Sequence, residues 1–299
     1  MVKIDLITGF LGSGKTTFLI KYAKYLMAKG ERICILENDY GPINIDMMLI
    51  AEIGCDREMV SGGCDYDCHV RRFRTKLIAM GMKGYDRVIV EPSGIYDTDE
   101  FFDVLYEDPL TNMYEIGNIF CMYDIHTKDL SYESKYILTS EASICGKLIV
   151  SKRDNNEVLD LDYINNILKE FKCIRVFSDK DVMYTDELDF DKLINSSYHS
   201  YDYIKVLSHD DNNFDSIYFT DIDYKVSDII NKKEKLFDSS NGNVVRIKGF
   251  LYNDSRWTEI NITKEENEIK PINDGQKVII VIGERLNKER IEEVLNNEV

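Results

Sequence analysis

Basic residues are scarce in this 299-residue chain: 37 Lys and Arg stand against 54 Asp and Glu, for a formal net charge of −17. Neutralising the phosphates of DNA or RNA needs a basic surface, so no nucleic-acid partner is expected. The balance reads most simply as a well-solvated acidic surface, and a basic client or metal cations are the partners it suits. Long apolar runs are also missing. Val278 to Ile282 is among the longest and is far too short to span a bilayer, so no membrane association is expected. The seven cysteines are odd in number, and in a reducing compartment they form no disulfide framework. Cys34, Cys121, Cys145 and Cys173 fall in or beside apolar strand-like runs, where a thiol acts as a small hydrophobe. No internal repeat or low-complexity tract is present. Met1 leads straight into a core strand, leaving no room for a cleaved leader, which points to a cytoplasmic protein.

What the chain does contain is organised around Gly9-Phe10-Leu11-Gly12-Ser13-Gly14-Lys15-Thr16, which follows the apolar strand Ile4-Asp5-Leu6-Ile7 and opens an amphipathic helix. Glycines let successive backbone N–H groups curl around phosphate oxygens, and the helix N-terminus adds its positive dipole end. Lys15 can reach the β- and γ-phosphates, and Thr16 can ligate Mg²⁺. The helix places Phe18, Leu19, Tyr22, Ala23, Leu26 and Met27 on one side and Lys21, Lys24 and Lys29 on the other, with Gly30 as its stop.

Strands and helices then alternate. Arg32 to Leu36 reads as a buried strand ending in Glu37-Asn38-Asp39-Tyr40-Gly41-Pro42, followed by Ile45-Asp46, a carboxylate-rich loop on the ligand side of a parallel sheet. Glu37 and Asp39 are candidate cation ligands, although turn chemistry alone also accounts for such residues. Met59 to His69 holds Cys64, Asp67, Cys68 and His69 on a Gly-opened turn at a helix start, a donor set for a transition metal. Incidental thiols on a loop, and an exposed His69 in a first helical turn, are the plain alternatives. The basic run Arg71, Arg72, Arg74 and Lys76 reads as a solvated helix face, with docking of an acidic partner second.

The strand Asp86 to Val90 delivers Glu91-Pro92-Ser93-Gly94, where a carboxylate can hold a Mg²⁺-bound water or position the attacking one and the Gly94 N–H can sense a γ-phosphate. Gly117 to Tyr123 is the next strand, with Asp124 and His126 in a loop of no assigned chemistry. Lys147 to Val150 runs into Ser151-Lys152-Arg153-Asp154, where Asp154 can accept from guanine N1 and N2 and the Lys152 stem can lie over the purine ring. A helix from Glu157 to Phe171 and a strand from Cys173 to Phe177 complete the alternation expected of an α/β P-loop NTPase with a mostly parallel sheet flanked by helices. The alternation lapses over Asn195 to Asn213, which places a P-loop domain at residues 1–205 and a small C-terminal α+β domain at 206–299. There the pattern predicts strands at Ser216–Phe219, Asn243–Tyr252, Trp257–Thr263 and Lys277–Ile282, with helices at Val226–Phe237 and Lys288–Leu295.

Together these motifs resemble the CobW-type family of metal-chaperone GTPases, a CobW/HypB/UreG-like group. Gly9 to Thr17 is similar to its P-loop, Glu37-Asn38-Asp39-Tyr40-Gly41 to its switch loop, Glu91-Pro92-Ser93-Gly94 to its Glu-x-x-Gly element, and Ser151-Lys152-Arg153-Asp154 to its Asn-Lys-x-Asp element. Val245 to Leu251 and Ile282 to Leu286 resemble its C-terminal domain. The likeness implies a slow GTPase using GTP and Mg²⁺, with Gly9, Gly12, Ser13, Gly14, Lys15, Thr16, Thr17, Ser151, Lys152 and Asp154 on the nucleotide. Lys15, Glu91 and Gly94 serve turnover in that reading, while Thr16, Glu37, Asp39, Cys64, Asp67 and Cys68 serve metals. It further implies that Zn²⁺ or Co²⁺ passes to a client metalloprotein or partner enzyme docked on the C-terminal domain, and it leaves a homodimer open. The family's Cys-x-Cys-Cys motif stands here as Cys64-Asp65-Tyr66-Asp67-Cys68, and Ser151 replaces the usual Asn. Oxygen for sulfur hardens a site and moves preference toward other divalent ions. A nucleotide-dependent switch that activates a partner enzyme, even a cobalamin-dependent one, without carrying metal is the second reading. A P-loop kinase would need an arginine-bearing lid, and no such segment is found.

Overall fold

The computed structural model describes residues 1–39, 53–61, 66–154, 156–205, 214–220, 222–253, 255–273, 275 and 277–296, and the chain divides into two compact units, Met1–Asp210 and Asp211–Val299. The first unit runs β1 (Val2–Gly9), α1 (Lys15–Ala28), β2 (Ile33–Asp39), β3 (Asp56–Ser61), α2 (Tyr66–Gly81), β4 (Arg87–Pro92), α3 (Asp99–Leu105), α4 (Leu110–Met113), β5 (Tyr114–Asp124), α5 (Tyr132–Ile144), β6 (Lys147–Ser151), α6 (Leu161–Glu170), β7 (Val182–Tyr184) and α7 (Phe190–Leu193). Its seven strands pair in parallel in the order β3-β2-β4-β1-β5-β6-β7.

Side chains alternate across this sheet and sort into two cores. Ile7, Ile35 and Ile89 pack with Phe18, Leu19 and Tyr22 of α1, whereas Ile4, Leu6, Leu36 and Val90 pack with Phe73 of α2, Phe101 of α3 and Leu138 of α5. Strands covered on both faces read as near-continuous apolar runs, which is why β1 and β4 are plain in the sequence. An ion pair interrupts the apolar layer: Arg87 Nη1 lies 2.7 Å from Asp5 Oδ2, and Tyr22 Oη donates to the same oxygen at 2.7 Å.

The edges differ from the sequence-based expectation. β3 has one buried residue, Val60, so no apolar pattern announces it. Cys173 to Phe177 is not a strand, and the edge strand is Val182–Tyr184. Asn165 explains the difference: its Oδ1 accepts from Phe177 N at 2.8 Å and its Nδ2 donates to Phe177 O at 3.1 Å, satisfying backbone groups that a ladder would use. The expected helix start at Glu157 moves to Leu161, because Asp160 caps it by accepting from Tyr163 N at 3.2 Å.

The second unit holds β8 (Phe214–Thr220), α8 (Val226–Asn231), α9 (Lys233–Leu236), β9 (Asn243–Asn253), β10 (Arg256–Ile262), β11 (Asn267–Ile272), β12 (Val278–Glu284) and α10 (Lys288–Asn296). The strands form an antiparallel sheet in the order β11-β10-β9-β12-β8. Its core joins Ile247, Leu251, Ile260, Ile279 and Val281 to Ile229, Leu236, Ile291 and Leu295 of the helices. The single helix expected over Val226–Phe237 is two, broken at Lys232, whose buried ammonium donates to Leu295 O at 2.7 Å. β11, polar and at the sheet edge, carries no pattern that predicts it.

Candidate nucleotide and metal site

The loop between β1 and α1 takes its shape from its glycines. Gly9, Gly12 and Gly14 have φ of 142°, 78° and 88°, a region where a side chain is strained. A Cβ on Gly9 would lie 2.3 Å from Met122 O, so the loop passes too close to β5 for any other residue. Ser13 N donates to Phe10 O at 3.2 Å, and Lys15 Nζ folds back to donate to Gly9 O at 2.7 Å. Thr17 is exposed one residue into α1 beyond Thr16. Gly94 closes against this loop, since a Cβ there would lie 2.8 Å from Leu11 N.

Two carboxylates meet beside it. Glu37 and Glu91 are register partners at the ends of β2 and β4, and both are buried. Ile35 and Ile89, two residues earlier, face α1, so both carboxylates project toward α1 as well. Thr16 Oγ1 donates to Glu91 Oε1 at 2.8 Å. A hydroxyl and two carboxylates make a hard-oxygen donor set, which fits Mg²⁺ beside a triphosphate. Asp39 ends β2 opposite Ser61 of β3.

Ser151 holds the third element to the first: its hydroxyl donates to Ser13 O at 2.8 Å. The loop that follows is pinned by Asp124 and Arg153, neither of which has an assigned role in the sequence reading. Lys152, at φ 59°, has its ammonium 3.0 Å from Asp124 Oδ2. Arg153 pairs with Asp186 and Glu187 at 2.6 Å and lies 4.0 Å over the Tyr184 ring. Asp154 is left exposed.

Cys64 and Asp65 lie outside the described residues. Asp67 and Cys68 are consecutive on the first turn of α2, the former exposed and the latter half-buried. His69 is fully buried, which removes the exposed-residue reading, and its Nε2 lies 2.8 Å from Asn38 Oδ1. Among the described residues no three His, Cys, Asp or Glu side chains cluster as a metal site. The basic run of α2 is occupied within the chain: Lys76 pairs with Glu58, Arg74 pairs with Glu107, Arg72 donates to Ser61 O, and Arg71 donates to Asp67 O.

Sequence reasoning also passed over Glu141. It lies on α5, fully buried, and its Oε1 accepts from Thr8 Oγ1 at 2.8 Å and Gly9 N at 3.0 Å. A lone Glu among Ser, Thr and Ala in a helix carries no signal of that reach.

A glycine-lined strand-to-helix loop, a lysine on its rim, paired acidic strand ends and a third loop tied to the first define a nucleotide-binding protein of the P-loop class. Residues 3–177 match the model of the CobW/HypB/UreG nucleotide-binding domain, and the chain belongs to that family. The matched stretch ends before the second unit, so the likeness drawn for Val245 to Leu251 and Ile282 to Leu286 lies outside it. Among curated relatives, the zinc chaperone YeiR of Escherichia coli K12 is 30% identical over 128 residues, covering 42% of this chain and 38% of YeiR. The zinc chaperone YjiA of the same strain is 22% identical over 162 residues, covering 51% of this chain and 50% of YjiA. The chain thus spans half or less of these relatives' length. The crystal structure of Zn(II)-bound YjiA GTPase from E. coli aligns over 98% of this chain and 97% of that one, at 15% identity and a TM-score of 0.36. Among the described residues no helix is long and apolar enough to cross a membrane.

Proposed function

We propose that this protein binds and slowly hydrolyses GTP, and that the nucleotide cycle controls a neighbouring metal site from which a divalent transition metal, of the zinc or cobalt class, is delivered to a client protein in the cytoplasm. The observation that carries this reading is the division of labour between two adjacent residues of β2. Glu37 faces α1 and the phosphate loop, while Asn38 faces the opposite side and grips His69 beside Cys68. A change in β2 on loss of the γ-phosphate is thereby passed to the helix that begins at the thiol turn.

In this mechanism Lys15 leaves the Gly9 carbonyl to balance phosphate charge, and the loop from Gly9 to Thr17, through Gly12, Ser13 and Gly14, wraps the phosphates with backbone N–H groups that are not spent on bonds within the fold. Thr16, Glu37, Glu91 and Asp39 would hold Mg²⁺, which would supply charge neutralisation for the phosphates. Glu91 orients the attacking water, and the Gly94 N–H senses the γ-phosphate. Lys152 and Asp154 take the guanine, with Ser151 anchoring their loop to Ser13. Cys64, Cys68 and Asp67 hold the cargo metal. Residues 1–205 form the GTPase domain, and residues 206–299 dock the client. The zinc chaperone names of YeiR and YjiA support the cargo assignment.

Equilibrium metal titration with a GTP analogue, with GDP and without nucleotide tests the coupling. Affinities that differ among the three and fall on changing Cys64 and Cys68 to Ser are expected; identical affinities overturn the coupling. A second reading, a switch that activates a partner without carrying metal, draws on the position of Asp67 and Cys68. Neighbouring helix residues point about 100° apart and do not face each other. A purified protein that hydrolyses GTP and binds no metal in any nucleotide state selects it.

A further inference from the structure

α5 is unusual in what it buries. Thr139, Ser140, Glu141 and Ser143 are all at or near zero exposure. The three hydroxyls donate back to carbonyls of their own helix, those of Lys135, Ile137 and Ser140. Such local bonds satisfy short polar side chains inside a helix. Glu141 cannot do this and crosses to β1. Thr8 faces α5 from β1, and its hydroxyl donates to Glu141 Oε1 at 2.8 Å, as does Gly9 N at 3.0 Å. Gly9 is also the residue whose carbonyl holds Lys15 Nζ. The second oxygen, Oε2, is buried and has no hydrogen-bond partner among the described residues.

We propose that Glu141 is a positioning residue for the triphosphate: through Thr8 and Gly9 it sets the shape of the phosphate loop, and through its own charge state it sets how freely Lys15 turns toward the phosphates. This rests on the reading of the loop as the nucleotide site. As a neutral acid, Glu141 supports the Gly9 backbone without placing a negative charge behind the phosphates. Once ionised, it becomes a buried anion facing Lys15, attracting the ammonium and repelling the triphosphate. Burial pushes its carboxyl up to about 8, against the lowering pull of Lys15, Thr8 and Gly9 N. The other groups facing it are the thiols of Cys145 and Cys121, and the Arg175 guanidinium faces that thiol pair.

The test is calorimetric titration of a non-hydrolysable GTP analogue with Mg²⁺ into the full chain from pH 6.5 to 9.5, for wild type, E141Q and E141A, each checked for cooperative unfolding. The amide of E141Q keeps the Oε1 acceptor and cannot ionise. Wild-type affinity is expected to fall as pH rises through about 8, whereas E141Q stays level and exceeds wild type at pH 9 by about tenfold, the effect of one repelling charge at intermediate dielectric. E141A, which leaves Gly9 N and the Thr8 hydroxyl without their acceptor, is expected to bind about tenfold more weakly at pH 7. An E141Q curve that tracks wild type overturns the inference, as does E141A binding with wild-type affinity. A wild-type protein that binds no nucleotide at any pH, with folding intact, overturns the nucleotide site itself and this inference with it.

Discussion

His69 Nε2 donates to Asn38 Oδ1 across 2.8 Å, joining the first turn of α2 to the end of β2 through two fully buried side chains. The partners are 31 positions apart. His69→Ala leaves the Asn38 oxygen buried without this donor, a loss of about 1–3 kcal/mol. Urea denaturation measures it. In the same variant, metal affinity is expected to lose its difference between GTP-analogue and GDP states while GTP turnover persists.

Glu91 accepts from Thr16 and stands beside Glu37. Glu91→Gln is expected to slow GTP hydrolysis by about 10²-fold or more, the usual contribution of a positioned carboxylate, with analogue binding largely retained. Phosphate release under single-turnover conditions reads the first, and titration with a fluorescent analogue reads the second. Lys15→Ala is expected to lose both.

Gly9 has no room for a methyl group, with Met122 O at 2.3 Å from the Cβ position and φ at 142°. Gly9→Ala is expected to cost about 3 kcal/mol or more from strain and overpacking together. Thermal unfolding with and without GTP measures it, and nucleotide is expected to restore less of the lost stability than it adds to wild type.

Asp124 holds the Lys152 ammonium at 3.0 Å. Asp124→Ala removes this partner of Lys152 and loosens the loop, so the preference for GTP over ATP is expected to fall about tenfold, one ordinary charge-assisted hydrogen bond. Competition between the two nucleotides for one fluorescent analogue gives the ratio.

Stability should also follow Glu141. Burial raises its carboxyl from 4.5 to about 8 in the folded chain, so between those values the native state binds the extra proton and stability falls as pH rises. Below pH 4.5 and above about 8 this group adds no slope. E141Q removes the dependence, so its advantage over wild type is expected to grow across that window to on the order of a few kcal/mol. Urea midpoints at pH 5, 7 and 9 check the sign.

The glycine loop after β1, Glu37, Glu91 and the Ser151 to Asp154 loop could be placed from the sequence because each lies where an apolar strand ends, the side of a parallel sheet on which ligand loops sit. Edge strands β3 and β11 could not, because one-sided or exposed pairing demands no apolar pattern. Cys173 to Phe177 alternates as a strand does, with Cys173 and Phe177 buried and Ile174 and Val176 exposed, yet Asn165 takes the Phe177 backbone bonds. Asp124 and His69 have the composition of loop and helix-start residues, and only their partners distinguish them.

The order of residues by itself determined the P-loop and the parallel α/β series, since these follow from short-range periodicity and from chemistry packed into eight consecutive positions. The folded chain alone decided which distant side chains meet those motifs: Glu141 beneath Gly9, Asp124 on Lys152 and Asn38 on His69. The reason is physical. Local pattern records which side chains avoid water, whereas a buried polar group must find a partner wherever the packing of separate elements puts one.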